Sequence, residues 1–351
     1  AASDVYKRQT VFLRNGLQVD LRVVEQQSFG AALHYFTGSK AHNIQVRRLG
    51  QQRGLKINEY GVFKGKQSIA GETEASVFKT VGLPLIPPEL REGRGEIEAA
   101  KKKKLPNLIK REDLQGDLHV HTKATDGNAS IEDMALAAKQ AGLKYLAITD
   151  HSHRLTVVHG LDRKRLQKQI EEIDKLNSKL TGITILKGIE VDILEDGSLD
   201  LPDSILSKLD LVIGAVHTKF RLSRNKQTTR ILRAMDSRYF SILAHPSGRL
   251  LEERDPYEVD MLRIIEAARE RGCYLELNSQ PQRLDLIDTY CQLAKEQGVL
   301  ISINSDSHST NGFKLLEGGI CQARRGWLEK HDVLNTCPLR ELRKFLKATM
   351  G

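Results

Sequence analysis

Seven short β-rich segments alternate with helix-like segments between Gly116 and His308, and this alternation limits the fold more than any other feature. The β-rich segments are GDLHVH, KYLAITDH, TILKGIEVD, LDLVIGAVH, YFSILAHP, CYLELNSQ and VLISINSDSH. Several helix-like segments begin at Asp or Ser and end at Gly, which are common capping residues. The pattern predicts an α/β fold whose parallel strands close into a barrel, with a doubly wound open sheet as the alternative.

Histidines and carboxylates fall at the ends of these β-rich segments. His119 and His121 flank a single valine, so both imidazoles project from the same face of a strand. In parallel α/β folds, catalytic groups gather at the carboxyl ends of the strands. The side chains that we predict to form one metal site are His119, His121, Asp126, His151, Glu190, His217, His245, Asp306 and His308.

The number of these side chains indicates more than one ion. One histidine at a strand end is more often a hydrogen-bonded, partly buried ring than a ligand. Nine candidate ligands, however, exceed the three or four that one catalytic zinc takes from a protein. They suit two or three divalent ions, which hold the attacking and leaving oxygens of a phosphoryl transfer.

The motifs DLHVHTKATDG, AITDHS, GIEVDI, GAVHTKF, LAHPSGR and INSDSH resemble, in order, those of the polymerase and histidinol phosphatase (PHP) superfamily. The resemblance covers roughly residues 114–322, and we expect a PHP domain over residues 114–351. It implies a distorted seven-unit (β/α) barrel that binds up to three manganese or zinc ions at the nine positions. It also implies that Glu190 bridges two metals.

The segments GLQVDLRVV, LHYFTGSKAHNIQVR and LKINEYGVF resemble the end of the palm and the thumb of a family X DNA polymerase. This resemblance covers about residues 10–90 and implies a small α+β region. Asp20 matches the third catalytic aspartate, and the segment from Tyr35 through Phe36 to Gly38 matches the one beside the nucleotide sugar. Asn43 and Arg47 match residues that contact the nucleotide base and the template strand.

The chain departs from this polymerase pattern in one respect. The resemblance implies two metals held by three aspartates, the first two in a DxD pair well upstream of the third, and no such pair precedes Asp20. We therefore expect no nucleotidyl transfer from this chain, whereas its parent would be a polymerase using dNTPs with magnesium or manganese. The first nine residues, AASDVYKRQ, match the translation of a sequencing-library transposon adapter, so we expect the natural protein to continue upstream of Thr10.

Charge and composition bear on partners. The net charge is +9, and four consecutive lysines, Lys101 to Lys104, lie in what we predict to be a basic linker over residues 91–113. The linker either contacts DNA or is a solvated spacer. No apolar run of membrane length occurs, and four cysteines lack CxxC spacing, so we expect a cytoplasmic protein with reduced thiols. We also expect a monomer.

The combined resemblance implies a DNA-repair enzyme. The PHP domain would act on gapped duplex or 3′ ends as a manganese-dependent 3′–5′ exonuclease, with abasic-site endonuclease and 3′-phosphodiesterase as related activities. Lys219, Arg249 and Arg283 follow three of the strand ends and are candidate phosphate contacts, or else surface cations. The alternatives are a histidinol-phosphatase-like enzyme for small molecules and a non-catalytic module.

Overall fold

The computed structural model describes residues 8–350, so residues 1–7 of the expected adapter segment lie outside the described residues. The chain divides into two compact units between Leu105 and Pro106. No helix among the described residues combines the length and the apolar character needed to cross a bilayer.

The first unit is a small α+β structure. Its strands are β1 (Arg8–Phe12), β2 (Gln18–Arg22), β3 (Lys56–Asn58), β4 (Gly61–Lys64) and β5 (Gln67–Ala70). Its helices are α1 (Phe29–Thr37), α2 (Lys40–Gln51), α3 (Glu74–Thr80) and α4 (Glu96–Lys101), with 3-10 turns at Gln26–Ser28 and Pro88–Leu90. Strands β1 and β2 form an antiparallel hairpin, and β3, β4 and β5 form an antiparallel sheet in that order.

Side-chain caps and one close approach define the helices of this unit. The Ser39 hydroxyl accepts a hydrogen bond from the backbone N–H of His42 and begins α2. Thr73 and Ser76 form a capping box that begins α3. Helix α1 lies so close to this cap that a Cβ at Gly30 would come within 2.1 Å of the Thr73 carbonyl carbon. Glycine is therefore required at position 30.

The segment predicted to be a basic linker, residues 91–113, is divided between the two units instead of lying between them. Arg91 is 1% exposed and pairs with Glu74, and Ile97 of α4 is 2% exposed, so both belong to the first unit. Ile109 is fully buried in the second unit. Burial of these side chains holds the segment against its neighbours, whereas Lys101 to Lys104 and Lys110 have the exposed, basic character that was predicted.

The second unit alternates strands and helices. Its strands are β6 (Gly116–Val120), β7 (Tyr145–Ile148), β8 (Thr184–Lys187), β9 (Glu190–Asp192), β10 (Ile213–Ala215), β11 (Ile242–Leu243), β12 (Tyr274–Asn278) and β13 (Ile301–Asn304). Its helices are α5 (Ile131–Gln140), α6 (Arg163–Asn177), α7 (Asp203–Leu206), α8 (Arg224–Met235), α9 (Met261–Arg271), α10 (Asp288–Glu296), α11 (Leu316–Arg325) and α12 (Leu339–Thr349). The 3-10 turns lie at Arg111–Asp113, Thr156–Val158, Gly312–Leu315, Lys330–Asp332 and Leu334–Thr336.

All strand pairs of the second unit are parallel, which confirms the α/β class. The strands form two sheets, ordered β6-β7-β8 and β9-β10-β11-β12-β13. Parallel bridges between Val120 and Ser307 and between His151, which follows β7, and Glu190 join the two sheets. The segment TILKGIEVD forms two strands, β8 and β9, where one was predicted, so the seven-unit count stays a prediction.

The barrel has one apolar end and one polar end. Tyr145 and Tyr274 are the first residues of their strands, and their hydroxyls donate to backbone carbonyls of Cys337 and Phe345. Leu342 and Leu346 of α12 are buried in the same cluster as Leu118, Ile213 and Ile242. Helix α12 therefore covers the amino ends of the strands, which leaves the carboxyl ends to carry the polar residues.

Candidate metal centre

The nine side chains predicted as ligands lie at the carboxyl ends of the strands. His119 is in β6, and His121 is the first residue after that strand. Glu190 follows the carboxyl end of β8 and is the first residue of β9. The loops that follow β6, β7, β10, β11 and β13 supply the remaining ligands, namely Asp126, His151, His217, His245, Asp306 and His308.

Glu190 lies at the middle of this group and is 1% exposed. Its two carboxylate oxygens face different histidines. The distances from Oε2 are 2.7 Å to His151 Nδ1, 3.5 Å to His119 Nε2 and 3.6 Å to His121 Nε2. The distances from Oε1 are 2.9 Å to His245 Nε2 and 3.3 Å to His217 Nε2.

Two further carboxylates complete the group. Asp126 Oδ2 lies 3.3 Å from Nε2 of both His151 and His308, and its Oδ1 lies 3.7 Å from His121 Nδ1. Asp306 Oδ1 lies 3.1 Å from His121 Nε2. The ligand atoms form three overlapping sets, each within a 4.8 Å span: His121, Asp126, His151 and His308; His119, His121 and Asp306; and His151, Glu190 and His217.

The chemistry of the donor atoms fits divalent cations. His119 Nε2, both ring nitrogens of His121, His151 Nδ1 and Glu190 Oε2 are buried without a hydrogen-bond partner. The 2.7 Å separation of His151 Nδ1 and Glu190 Oε2 does not have hydrogen-bond geometry. Buried polar atoms without partners are costly, and a cation among them would satisfy several at once.

Burial and neighbouring charges set the protonation of the cluster. Burial alone would raise the pKa of Glu190, but the surrounding His151, His217 and His119 hold it well below its ordinary value. Burial alone would lower the pKa of His151, but the carboxylates of Glu190 and Asp126 raise it to about 10. Burial, assisted by the Arg283 charge, lowers the pKa of His245 to about 4. The central carboxylates thus stay ionised, as metal ligands must.

Two buried carboxylates behind the histidines were not anticipated from the sequence. Glu276 Oε1 lies 2.7 Å from His119 Nδ1, and Asp192 Oδ1 lies 3.0 Å from His217 Nδ1. Each carboxylate contacts the ring nitrogen that faces away from Glu190, so the other ring nitrogen of each histidine points toward Glu190. The only signal in the sequence is an acidic residue within an apolar strand, in YLELN and in GIEVD.

The three candidate phosphate contacts occupy different surroundings. Arg283 Nε lies 3.8 Å from Asp306 Oδ2, with the side chain 19% exposed. The Arg249 guanidinium donates to the carbonyl oxygens of Arg283 and Leu284, so it fixes the loop that carries Arg283. Lys219 is 61% exposed and lies 3.5 Å from Glu195. Arg283 is thus the cation that the structure brings beside the ligands.

A fourth set of potential ligands, Glu329, His331 and Asp332, lies away from the barrel mouth. Lys295 Nζ lies 2.9 Å from Glu329 Oε2 and 2.8 Å from Asp332 Oδ2. The lysine ammonium pairs with both carboxylates, so the set is an ordinary ion-pair network.

The candidate nucleotide contacts of the first unit lie on three neighbouring elements. Asp20 is in β2 and accepts a hydrogen bond of 2.6 Å from the Thr10 hydroxyl. Tyr35 and Phe36 end α1, and Arg47 is an exposed residue of α2.

Asn43, another of these candidate contacts, closes the corner between α1 and α2. Its amide nitrogen donates to the carbonyl oxygens of Tyr35 and Gly38, at 2.8 and 3.1 Å. The side chain therefore holds the corner, and its Oδ1 atom is the part without a hydrogen-bond partner.

Comparison with known families places both units. Residues 117–280 match the PHP domain, and residues 32–92 match the DNA polymerase beta thumb. The chain belongs to the PHP family and carries a family X polymerase thumb domain, which confirms both resemblances seen in the sequence.

The chain is similar to several known proteins. It is 42% identical to the "DNA polymerase/3'-5' exonuclease PolX" of Bacillus subtilis (strain 168), over 94% of this chain and 58% of that protein. It is 30% identical to a "Probable phosphatase" of Thermoanaerobacter sp. (strain X514), over 66% of this chain and 94% of that protein.

Among solved structures, the chain resembles the histidinol phosphate phosphatase of Lactococcus lactis subsp. lactis Il1403 at 16% identity and a TM-score of 0.46. That match covers 60% of this chain and 93% of the phosphatase.

Proposed function

We propose that the second unit is a metal-dependent phosphoesterase that trims DNA 3′ ends, chiefly as a 3′–5′ exonuclease. The observation that carries the proposal is the arrangement around Glu190, whose two oxygens face two different sets of histidines. A polymerase thumb in the same chain makes DNA the substrate that fits best. Action at abasic sites and on 3′-phosphodiesters is part of the same proposal.

The nine ligands would hold two or three divalent ions, manganese or zinc, with Glu190 shared between two of them. Such ions neutralise phosphate charge and lower the pKa of bound water. The protein's own contribution is to fix the donor atoms, since Glu276 and Asp192 orient two of the histidines. Arg283, beside Asp306, would bind a phosphate oxygen of the substrate, and Arg249 would keep Arg283 in place. Lys219, at the rim, would attract the polyanion.

The first unit would bind duplex DNA as the thumb of a larger polymerase. The chain spans 58% of the length of the PolX that it resembles, so the polymerase, its dNTPs and its magnesium or manganese belong to the proposal for the parent protein. Tyr35, Phe36, Gly38, Asn43 and Arg47 would line the nucleotide and template there.

For this chain we expect no primer extension with magnesium or manganese, because Asp20 has no upstream DxD pair to complete a two-metal site. The assay is extension of a labelled primer on a gapped template, with the same chain joined to an upstream palm as the positive control. Extension by the chain as it stands would contradict the assignment of Asp20 as the third aspartate.

A small-molecule phosphatase is the second candidate. It is favoured by the 30% identity to the "Probable phosphatase", of which the chain covers 94%. A metal cluster of this type serves phosphate monoesters and diesters alike. The two proposals therefore differ in the leaving group and not in the metal ligands.

Release of nucleotide from 3′-labelled DNA, measured beside release of phosphate from histidinol phosphate, separates these candidates. We expect DNA to be preferred in kcat/KM, and Asp306→Ala or His245→Ala to reduce turnover at least a hundredfold because each removes a ligand. His331→Ala, in the surface acidic set, is the matched control and should keep full activity. Preference for histidinol phosphate would favour the second candidate, and equal activity of Asp306→Ala and His331→Ala would contradict the metal site.

A further inference from the structure

A cleft of about 380 Å³ lies in the second unit between helix α6 and the loop that follows β6. This loop is the one that carries the candidate ligand Asp126. The volume lies within the range usual for small-ligand sites. The cleft is distinct from the cluster around Glu190, because none of the nine candidate ligands lines it.

The lining of the cleft is positively charged. Its charged residues are Lys123, Arg165, Lys168 and Glu172, three cations against one carboxylate. The Arg165 guanidinium donates to carbonyl oxygens of Ala124, His159 and Gly160, so this charge is fixed in position. A pocket with such a surplus attracts phosphate oxygens.

Gln169 forms a fixed part of the wall of the cleft. Its side chain is 5% exposed and lines the cleft, and its Nε2 donates to Asp150 Oδ2 at 2.6 Å. Its Oε1 is closed to solvent. The side chain is therefore part of the wall of the cleft.

Hydrogen bonds connect this wall to the loop that carries Asp126. Asp150 also accepts from the Thr125 hydroxyl at 2.6 Å and from the Thr122 hydroxyl at 2.7 Å. Thr125 in turn lies within 3.2 Å of Asp126 Oδ1. Gln169 and the loop that carries Asp126 are therefore held by the same buried carboxylate.

We propose that this cleft is a subsite for the nucleotide next to the scissile phosphate of a polynucleotide strand. Lys123 and Lys168 bind its phosphate. The proposal rests on the proposed function and narrows it to a polynucleotide substrate, because the cleft and the candidate ligands share no residue.

The test compares kcat/KM on a 3′-labelled single-stranded oligonucleotide with kcat/KM on bis(p-nitrophenyl) phosphate, using the metal-loaded full chain. In Lys123→Ala/Lys168→Ala the ratio of the two should fall about tenfold. The control is Lys164→Ala/Lys175→Ala. It removes two exposed positive charges from α6, the helix that carries Lys168, at positions outside the cleft. The control should keep the wild-type ratio, and equal falls in both double variants would overturn the subsite.

A substrate change probes the contact directly. Replacing the phosphate next to the scissile one by an uncharged methylphosphonate should reduce kcat/KM of the wild type more than that of Lys123→Ala/Lys168→Ala, since the variant no longer binds that phosphate through the two lysines. Equal reductions would overturn the proposal.

Binding without catalysis distinguishes failure of the subsite from failure of the proposed function. Fluorescence anisotropy of the same oligonucleotide in EDTA should show weaker binding by the cleft variant, Lys123→Ala/Lys168→Ala, than by the control variant, Lys164→Ala/Lys175→Ala. A wild type that hydrolyses only the small ester would refute the nuclease, while unchanged binding by the cleft variant would refute the subsite.

Discussion

Glu276 shows how one buried side chain can organise a metal site without being a ligand. It is fully buried, and its carboxylate accepts hydrogen bonds from the backbone N–H of His245 at 2.7 Å and from the side-chain amides of Asn278 and Asn304. With these partners it cannot rotate, so its contact with His119 Nδ1 fixes the tautomer of that ring.

We predict that Glu276→Gln weakens metal binding about 10- to 100-fold, because the amide removes the negative charge behind His119 while keeping its shape. Competition with a chromophoric chelator measures the affinity, and circular dichroism checks that the barrel stays folded. Glu329→Gln is the control, since that carboxylate belongs to the surface ion-pair network. Equal affinities of the two variants would show that Glu276 does not orient the ligand.

The sequence was informative for the candidate ligands but not for the residues that hold them in position. The nine candidate ligands could be predicted because alternation and strand ends are local patterns. Glu276 and His119 lie 157 positions apart, and their pairing depends on the order of strands around the barrel. Arg249 could be placed near the site from its motif, but only the folded structure shows that it donates to the backbone of the loop 283–284.

Among the elements, helices α1, α2 and α3 pack around an aromatic cluster that contains two histidines. The His34 ring lies 5.0 Å from the Phe78 ring, edge-on, and 5.4 Å from the His42 ring. His42 Nδ1 in turn lies 2.7 Å from Glu96 Oε1. Burial, with the nearby charges of His42 and Arg91, lowers the pKa of His34 to about 3.

This pKa predicts that the first unit loses stability in mild acid. Between pH 6.5 and about 3 the unfolded chain binds a proton at His34 that the folded unit does not, so stability falls as pH falls. The loss between pH 7 and 5 should be about 2 kcal/mol. Calorimetry of the full chain at both pH values measures it.

The variant His34→Gln, which cannot titrate, should flatten the pH dependence of the transition that belongs to the first unit and leave the other transition unchanged. His153→Gln is the control, because His153 is 55% exposed in the second unit. An unchanged pH dependence in His34→Gln would mean that another group governs the acid sensitivity.

Element boundaries were less predictable than element types. The alternation of β-rich and helix-like segments predicted the parallel α/β unit. It did not show that Gly188 and Ile189 separate β8 from β9, because both residues continue an apolar segment. Nor could composition show that residues 91–105 pack on the first unit, since lysines and glycines mask the buried Arg91 and Ile97.

For the whole molecule, DNA binding depends on where the surplus of positive charge is exposed. The net charge of +9 includes Lys101 to Lys104, which are all exposed at the end of the first unit. Lys101 also lies 2.7 Å from Glu98, a pairing between exposed groups that solvent screens. These lysines are therefore available to DNA at little cost.

We predict that replacing Lys101 to Lys104 by alanine weakens binding to DNA of every sequence and flattens its dependence on salt. Each lysine on a phosphate releases condensed counterions, so the slope of log K against log salt should decrease by about 0.9 for each phosphate of duplex DNA that a lysine no longer neutralises. Anisotropy titrations from low to physiological salt measure the slope. Turnover at saturating DNA should survive, because the four lysines lie outside the candidate metal centre.

The control replaces four exposed lysines of the second unit, Lys144, Lys164, Lys175 and Lys179, and so changes the net charge equally. If the effect arises from direct binding to phosphates, only the first variant should show a flatter slope, since long-range attraction alone is screened beyond about 8 Å at physiological salt. If both variants bind DNA equally weakly, general charge and not this segment attracts the DNA. An unchanged slope in the first variant would make residues 101–104 a solvated surface, and DNA binding by the chain would then depend on the thumb and on the cations around the barrel mouth.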